Sequence, residues 1–178
     1  MNHSQQLPFL IDLWDDESTT VHEGVLKGLA QCGRSLYEWI PTLNPQLGET
    51  LVRQILLELG EYCEKDKRGW GLNLYKPGQI VEHSRYGYRG VLVDVDYYCM
   101  ATNEWYSSNT TQPPKCQPWY HVLVDNSDAV TYAAESSLGT DDIKEPVEHP
   151  YLQHFFERFR QGAYVRNDRP WPRDEDVM

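Results

Sequence analysis

The spacing of apolar residues changes once along the chain, near residue 70. Before that point, apolar residues recur every three or four positions, as in Val21, Val25, Leu26 and Leu29, a spacing typical of an amphipathic helix. Beyond it, in the stretch RGVLVDVD at 89–96, valines alternate with other residues, a pattern typical of a strand. The change predicts a helical first part and a sheet in the second.

Two helices stand out in the first part. The segment STTVHEGVLKGLAQCG offers Ser18 as a helix cap and Gly33 as a stop. A second helix is predicted to begin after Asn44, with Pro45 at its first position. Its apolar stripe consists of Leu47, Leu51, Ile55, Leu59, Tyr62 and Cys63. Such a stripe must be covered, so we expect it to pack on the second part of the chain or on a partner.

Four strands are predicted in the second part, within residues 76–84, 89–96, 118–125 and 129–135. The connections contain Gly, Pro and Asn, which favours a small, bent antiparallel sheet or barrel. Residues 100–117 show no period and indicate a loop, whereas HPYLQHFFERF predicts a closing helix. The proline-broken end, 161–178, is predicted to be a flexible tail.

The charge of the chain excludes some classes of partner. Sixteen basic residues oppose 27 acidic ones, for a formal net charge of −11, which disfavours non-specific binding to nucleic acid or anionic lipid. No stretch approaches the roughly 20 apolar residues of a membrane helix, and no signal peptide is evident. We therefore expect a cytoplasmic protein with no membrane partner.

Several motifs in the second part occur in a recognisable order. They are GQIVEHSRYGYRGVLVDVD, EWY, QPWYHVLVD, TYAAESSL and EPVEHPYLQHFF. Together they resemble the YccV-like domain, also called the hemimethylated-DNA-binding or HspQ heat-shock family. The resemblance runs from about residue 74 to residue 159.

The resemblance implies a small SH3-like β-barrel without enzymatic activity or cofactor, in a family named for binding DNA methylated on one strand. Some members are described instead as modulators of bacterial proteolysis. The combined expectation is an α+β protein: a helical segment at 1–68, packed on an antiparallel barrel domain at 72–160 that ends in a helix, and a tail at 161–178. DNA, including hemimethylated DNA, is the expected partner. A protease or chaperone is the alternative, and a homo-oligomer is left open.

The candidate DNA-binding residues combine basic and aromatic side chains, because arginines can contact phosphates or guanine edges while aromatic rings stack on bases. They are His83, Arg85, Tyr86, Tyr88, Arg89, Trp105, Tyr106, Trp119 and His121. A structural alternative stays open. The rings of His83, Tyr86 and Tyr88 would then fill one end of the barrel. Arg85 and Arg89 would pair with Glu82 or Asp94.

Catalytic and metal sites are not expected. Cys99, His121 and Asp125 include the residue types of a thiol triad, but their order and flanking residues do not indicate an activated nucleophile. His149 and His154 are five positions apart, which on a helix separates their directions. The four cysteines contain no CxxC motif and are expected to be reduced thiols.

Overall fold

The computed structural model describes residues 3–43, 47–66 and 70–172. The chain forms two compact units. One contains the residues up to 74 together with Tyr97–Cys99, and the other contains Tyr75–Asp96 and the residues from 100 onward. Helices dominate the first unit and antiparallel strands the second, so the α+β class is confirmed.

The helical unit contains α1 (His3–Asp12), α2 (Thr19–Ala30), α3 (Leu36–Leu43) and α4 (Glu49–Lys65). Ser18 caps α2 as predicted, because its hydroxyl accepts a hydrogen bond from the Val21 N–H at 3.5 Å. Helix α4 begins later than predicted, at Glu49. Its predicted cap, Asn44, and the following Pro45 lie outside the described residues.

The predicted stripe of α4 is buried at its centre, where Ile55 and Leu59 have no exposed surface. Within the helical unit, α4 packs on α2, and Gly60 brings it against the ring of Tyr97. A side chain at position 60 would overlap that ring. Packing of the stripe on the sheet unit, which the sequence predicts, stays a prediction.

The second unit is built on a five-stranded antiparallel sheet in the order β4-β3-β2-β1-β5. Its strands are β1 (Ile80–His83), β2 (Arg89–Asp96), β3 (Trp119–Val124), β4 (Val130–Ala134) and β5 (Leu138–Thr140). The first four confirm the predicted strands. The three residues of β5 are too few to show a period in the sequence. Within the described residues β4 and β5 are the two edges of the sheet, so a closed SH3-like barrel is not confirmed.

The predicted loop between β2 and β3 contains a short helix, α5 (Asn103–Ser108). Thr102 caps it, since the threonine hydroxyl accepts a hydrogen bond from the Trp105 N–H at 3.2 Å. This helix holds two of the predicted site residues, Trp105 and Tyr106, in a fixed position beside the sheet.

The predicted C-terminal helix is confined to four residues, α6 (Leu152–Phe155). The residues expected to continue it form β6 (Phe156–Arg160), which pairs in a hairpin with β7 (Ala163–Arg166), a segment predicted to be tail. The two-residue turn explains the difference: Gln161 and Gly162 both have positive φ, 54° and 79°, as in the tight turns that suit hairpins.

Part of the predicted tail is therefore ordered structure, up to residue 172. Trp171 packs against the core of the unit, and the remaining six residues of that tail, 173–178, lie outside the described residues. The core itself joins the sheet to the C-terminal segments and consists of Ile80, Val91, Val93, Leu123, Val147, Phe155 and Phe156.

Candidate functional site

The turn between β1 and β2 is organised by a buried histidine. His83 is 7% exposed, and its ring lies 4.7 Å from that of Tyr86 and 5.0 Å from that of Tyr88. Its Nδ1 accepts hydrogen bonds from the backbone N–H groups of Arg85 and Tyr86, at 3.2 and 3.3 Å. The side chain of His83 thus satisfies two donors that the turn leaves without backbone partners.

Two side chains point outward from this turn. Arg85 is exposed, Tyr86 is 58% exposed, and the guanidinium carbon of Arg85 lies 5.9 Å from the centre of the Tyr86 ring, a cation–π distance. Tyr88 is held differently, by a 2.8 Å hydrogen bond between its hydroxyl and that of Thr131, and burial raises its pKa. The turn therefore presents one arginine and one aromatic ring on a fixed base.

Arg89, the second predicted arginine, is engaged inside the domain. Its Nε and one terminal nitrogen donate to the two carboxylate oxygens of Asp141 at 2.7 and 3.1 Å. The other terminal nitrogen donates to Asp125 at 2.8 Å. The hydrogen bonds between the two side chains raise the pKa of Arg89 and lower that of Asp141.

The structural alternative in the sequence paired Arg89 with a carboxylate close along the chain, Glu82 or Asp94. The observed partners of Arg89 lie 36 and 52 residues away. Nothing in the local pattern identifies either of them. A contact between Arg89 and DNA stays a prediction, but most donors of this side chain are used within the domain.

The remaining predicted residues form a row of aromatic rings. Trp119 is at its centre with 1% exposure. Trp105 and Tyr106 meet it edge-on, each with its ring centre 6.3 Å away. Tyr132 is not among the predicted site residues. Its ring centre lies 5.2 Å from that of Trp119, on which it stacks, and 4.7 Å from that of His121. We call Trp105, Tyr106, Trp119, Tyr132 and His121 the aromatic row.

A buried carboxylate fixes the end of this row. Asp96 is 6% exposed and accepts hydrogen bonds from the Tyr132 hydroxyl at 2.8 Å and from His121 Nε2 at 3.3 Å. The neighbouring Tyr120 points to the opposite face, because successive side chains of a strand alternate, and its hydroxyl donates to Glu135 at 2.7 Å. The ring of Trp171 stacks on the ring of His121, with their centres 4.9 Å apart.

The nine predicted residues do not form a single surface. Tyr88 of the β1–β2 turn contacts Thr131, whereas the aromatic row includes the next residue, Tyr132. Consecutive residues of a strand point to opposite faces. The side chain of Tyr88 and the aromatic row therefore lie on different faces of β4.

The described ranges contain no cluster of three or more histidine, cysteine or acidic side chains that could hold a metal ion. All four cysteines are reduced thiols, as predicted, and burial raises the pKa of Cys63 to about 12 and that of Cys116 to about 11. In the part of the chain that the structure describes, no helix is long and apolar enough to cross a membrane.

Comparison with known proteins gives two kinds of match. The family described as "Hemimethylated DNA-binding protein YccV like" matches residues 73–163. F-box only protein 21 from Homo sapiens and from Mus musculus are each 29% identical to the chain over 180 residues, covering 91% of it. The Pongo abelii protein of the same name is 33% identical over 96 residues, covering 52% of the chain and 15% of its own length. The chain spans 27% of the human and mouse relatives.

The contrast between the two arginines yields a prediction on stability. Arg89→Ala leaves Asp141 as a buried carboxylate without its cation, so we expect a loss of about 3–5 kcal/mol in the free energy of unfolding. Arg85→Ala is the matched control and should change it by less than about 0.5 kcal/mol, because the side chain is exposed. Denaturant unfolding of both variants measures the difference. Equal stability of the two would show that the Arg89 ion pairs contribute nothing.

The environment of His83 yields a prediction on pH. Burial lowers the pKa of His83 below its usual value of 6.5, so between the two values the unfolded chain binds the proton and the folded chain does not. The contribution of His83 to the free energy of unfolding should be fully present above about pH 6.5. It should fall as the pH is lowered towards the pKa of the folded state. His83→Asn keeps an acceptor near the Nδ1 position but does not titrate. Unfolding free energies between pH 7.5 and 5 should fall less steeply in this variant, and an unchanged slope would exclude His83 as the group responsible.

Proposed function

We propose, from the premise that this chain belongs to the YccV-like family, that the protein is a non-enzymatic DNA-binding protein. The observation that carries the proposal is the pair formed by Arg85 and Tyr86, which project from a turn held by His83. A guanidinium suits a phosphate or a guanine edge, and an exposed aromatic ring suits an unstacked base or the apolar methyl group of a modified base.

The negative net charge of the chain restricts the proposed DNA contact to the surroundings of Arg85. The formal net charge is −11, so the domain lacks the general positive field of most DNA-binding proteins. The guanidinium of Arg89 lies between Asp125 and Asp141 and adds little positive potential outside the domain. Binding through Arg85 alone should release about one counterion, which gives a salt slope near −1 on a log–log plot.

The fixed turn lowers the entropic cost of binding. Because His83 orders the backbone of Arg85 and Tyr86 before any ligand arrives, less conformational entropy is lost on binding. A second contact, or a second copy of the chain on the same duplex, would be needed for tight binding.

A titration against matched hemimethylated, fully methylated and unmethylated duplexes tests the proposal. We expect the hemimethylated duplex to bind best, and Arg85→Ala combined with Tyr86→Ala to weaken it at least tenfold, because both outward contacts are removed. Arg160→Ala, which removes another exposed arginine of the same unit, is the matched control and should retain affinity. Undiminished binding by the folded Arg85→Ala/Tyr86→Ala protein would remove this turn from the DNA interface.

A second candidate function is a protein-interaction module, such as a protease adaptor or a modulator of proteolysis. Two observations favour it: the net charge of −11, and the exposed apolar pair of Phe9 and Leu13, 69% and 45% exposed, in the helical unit. The human and mouse relatives named F-box only protein 21 match 91% of the chain, which includes helices outside the family match.

Affinity capture on the intact chain tests this second function. A protease or chaperone component should be retained by the wild-type protein and lost from Phe9→Ser/Leu13→Ser, because a polar pair cannot replace the apolar contact. Lys65→Ser changes an exposed residue of the same unit and is the control. Capture of neither component, or equal capture by the double variant, would count against an adaptor acting through this pair.

A further inference from the structure

The segment that follows β7, residues 167–172, covers one end of the aromatic row. We call it the C-terminal strap. Its Trp171 stacks on His121 with ring centres 4.9 Å apart and planes inclined by 30°, and it meets Phe155 at 5.2 Å. The family match ends at residue 163, so the strap lies beyond the matched domain while its tryptophan packs on two residues within it.

The strap is attached by polar contacts at its beginning. Arg166, the last residue of β7, donates to the backbone oxygens of Val93, Phe155 and Arg169 at 2.8 to 2.9 Å. The side-chain amide of Asn167 donates to the His154 oxygen at 2.7 Å. Arg169 completes the attachment through a 2.8 Å contact with His154 Nδ1. The far end of the strap is held by the ring contacts of Trp171.

The surface beneath Trp171 is held in place by contacts with neighbouring side chains. Asp96 holds His121 by Nε2, Tyr132 supports one face of the imidazole, and Phe155 is buried with 4% exposure. We call the surface formed by His121 and Phe155 the aromatic socket. A flat side chain that enters it loses few rotatable bonds and buries a large apolar area.

We propose that the aromatic socket binds a tryptophan of an extended, arginine-containing segment of a partner protein, and that Trp171 occupies the socket as an intramolecular competitor. The sequence of the strap indicates which side chains a ligand of the socket would carry. This sequence, NDRPWP, places an arginine two positions before the tryptophan, and Pro170 keeps the residue before it extended. The formal net charge of the whole chain, −11, favours a partner segment that carries arginine. In the strap, Arg169 contacts His154 Nδ1.

The covalent connection of Trp171 to the domain determines how strongly it competes with a free segment for the socket. A short tether gives Trp171 an effective concentration in the millimolar range, so a free segment of equal intrinsic affinity is excluded at micromolar concentration. A natural partner must therefore bind the socket more tightly than the strap does or add contacts elsewhere. This proposal is independent of DNA binding, because Arg85 and Tyr86 belong neither to the aromatic row nor to the strap.

The test uses the intact chain and a fluorescein-labelled peptide of residues 167–172 as the probe. We expect the peptide to bind Asn167→Ala/Trp171→Ala at least tenfold more tightly than the wild type, measured by fluorescence anisotropy, because both anchors of the strap are removed. A peptide with alanine in place of its tryptophan should not bind. Trp39→Ala, which changes a partly buried tryptophan of the helical unit, is the matched control and should exclude the peptide as the wild type does.

Circular dichroism confirms that each variant is folded, and Trp171→Ala alone replaces the double variant if that protein does not fold. Peptide binding that is absent from the folded variant, or equal in variant and wild type, would overturn the proposal. Binding of a DNA duplex, but not of the peptide, to the unmasked variant would overturn it as well, since the socket would then accept bases. Loss of peptide binding on adding His121→Ala to the variant would support the assignment.

Discussion

The ion pairs of Arg89 hold together three segments of the sheet unit that are distant in sequence. Arg89 begins β2, Asp125 directly follows β3, and Asp141 directly follows β5. The carboxylates also order the backbone between 141 and 148: Asp141 accepts from the Lys144 N–H and Asp125 from the Glu148 N–H, both at 2.7 Å. That segment carries Val147 into the core, so one cation fixes both a polar junction and an apolar contact.

The close approach of the strands beside Arg89 depends on its neighbour Gly90. A Cβ atom at this position would lie 2.5 Å from a methyl group of Val122 and 2.6 Å from the Leu123 oxygen. Glycine therefore lets β2 lie against β3 at the point where Arg89 reaches its carboxylates. The turn that carries Arg85 immediately precedes this junction, which explains how an exposed turn can have a fixed base.

The sheet separates two surfaces with different chemistry. The β1–β2 turn offers a cation and a ring to solvent, whereas the aromatic row is mostly enclosed and ends under Trp171. The β-bulge of β2, between Leu92 and Asp94, contributes to this arrangement, because the Val93 oxygen at that point accepts a hydrogen bond from Arg166. The exposed pair of the turn, Arg85 and Tyr86, and the aromatic row share no residue.

The sequence by itself determined the elements whose signal is local. The 3.6-residue period predicted α2 and α4. Alternation at 89–96 and short runs bounded by Gly, Pro and Asn predicted β1 to β4, and the ordered motifs identified the family. Tertiary structure decided the rest. Phe155, Phe156 and Phe159 fit either a helix or a strand, and the choice after Phe155 followed from a turn of two residues with positive φ, which pairs β6 with β7. The carboxylates that bind Arg89 and the ring that covers His121 come from distant segments, and a pattern that describes neighbours along the chain cannot identify a partner that only folding brings close.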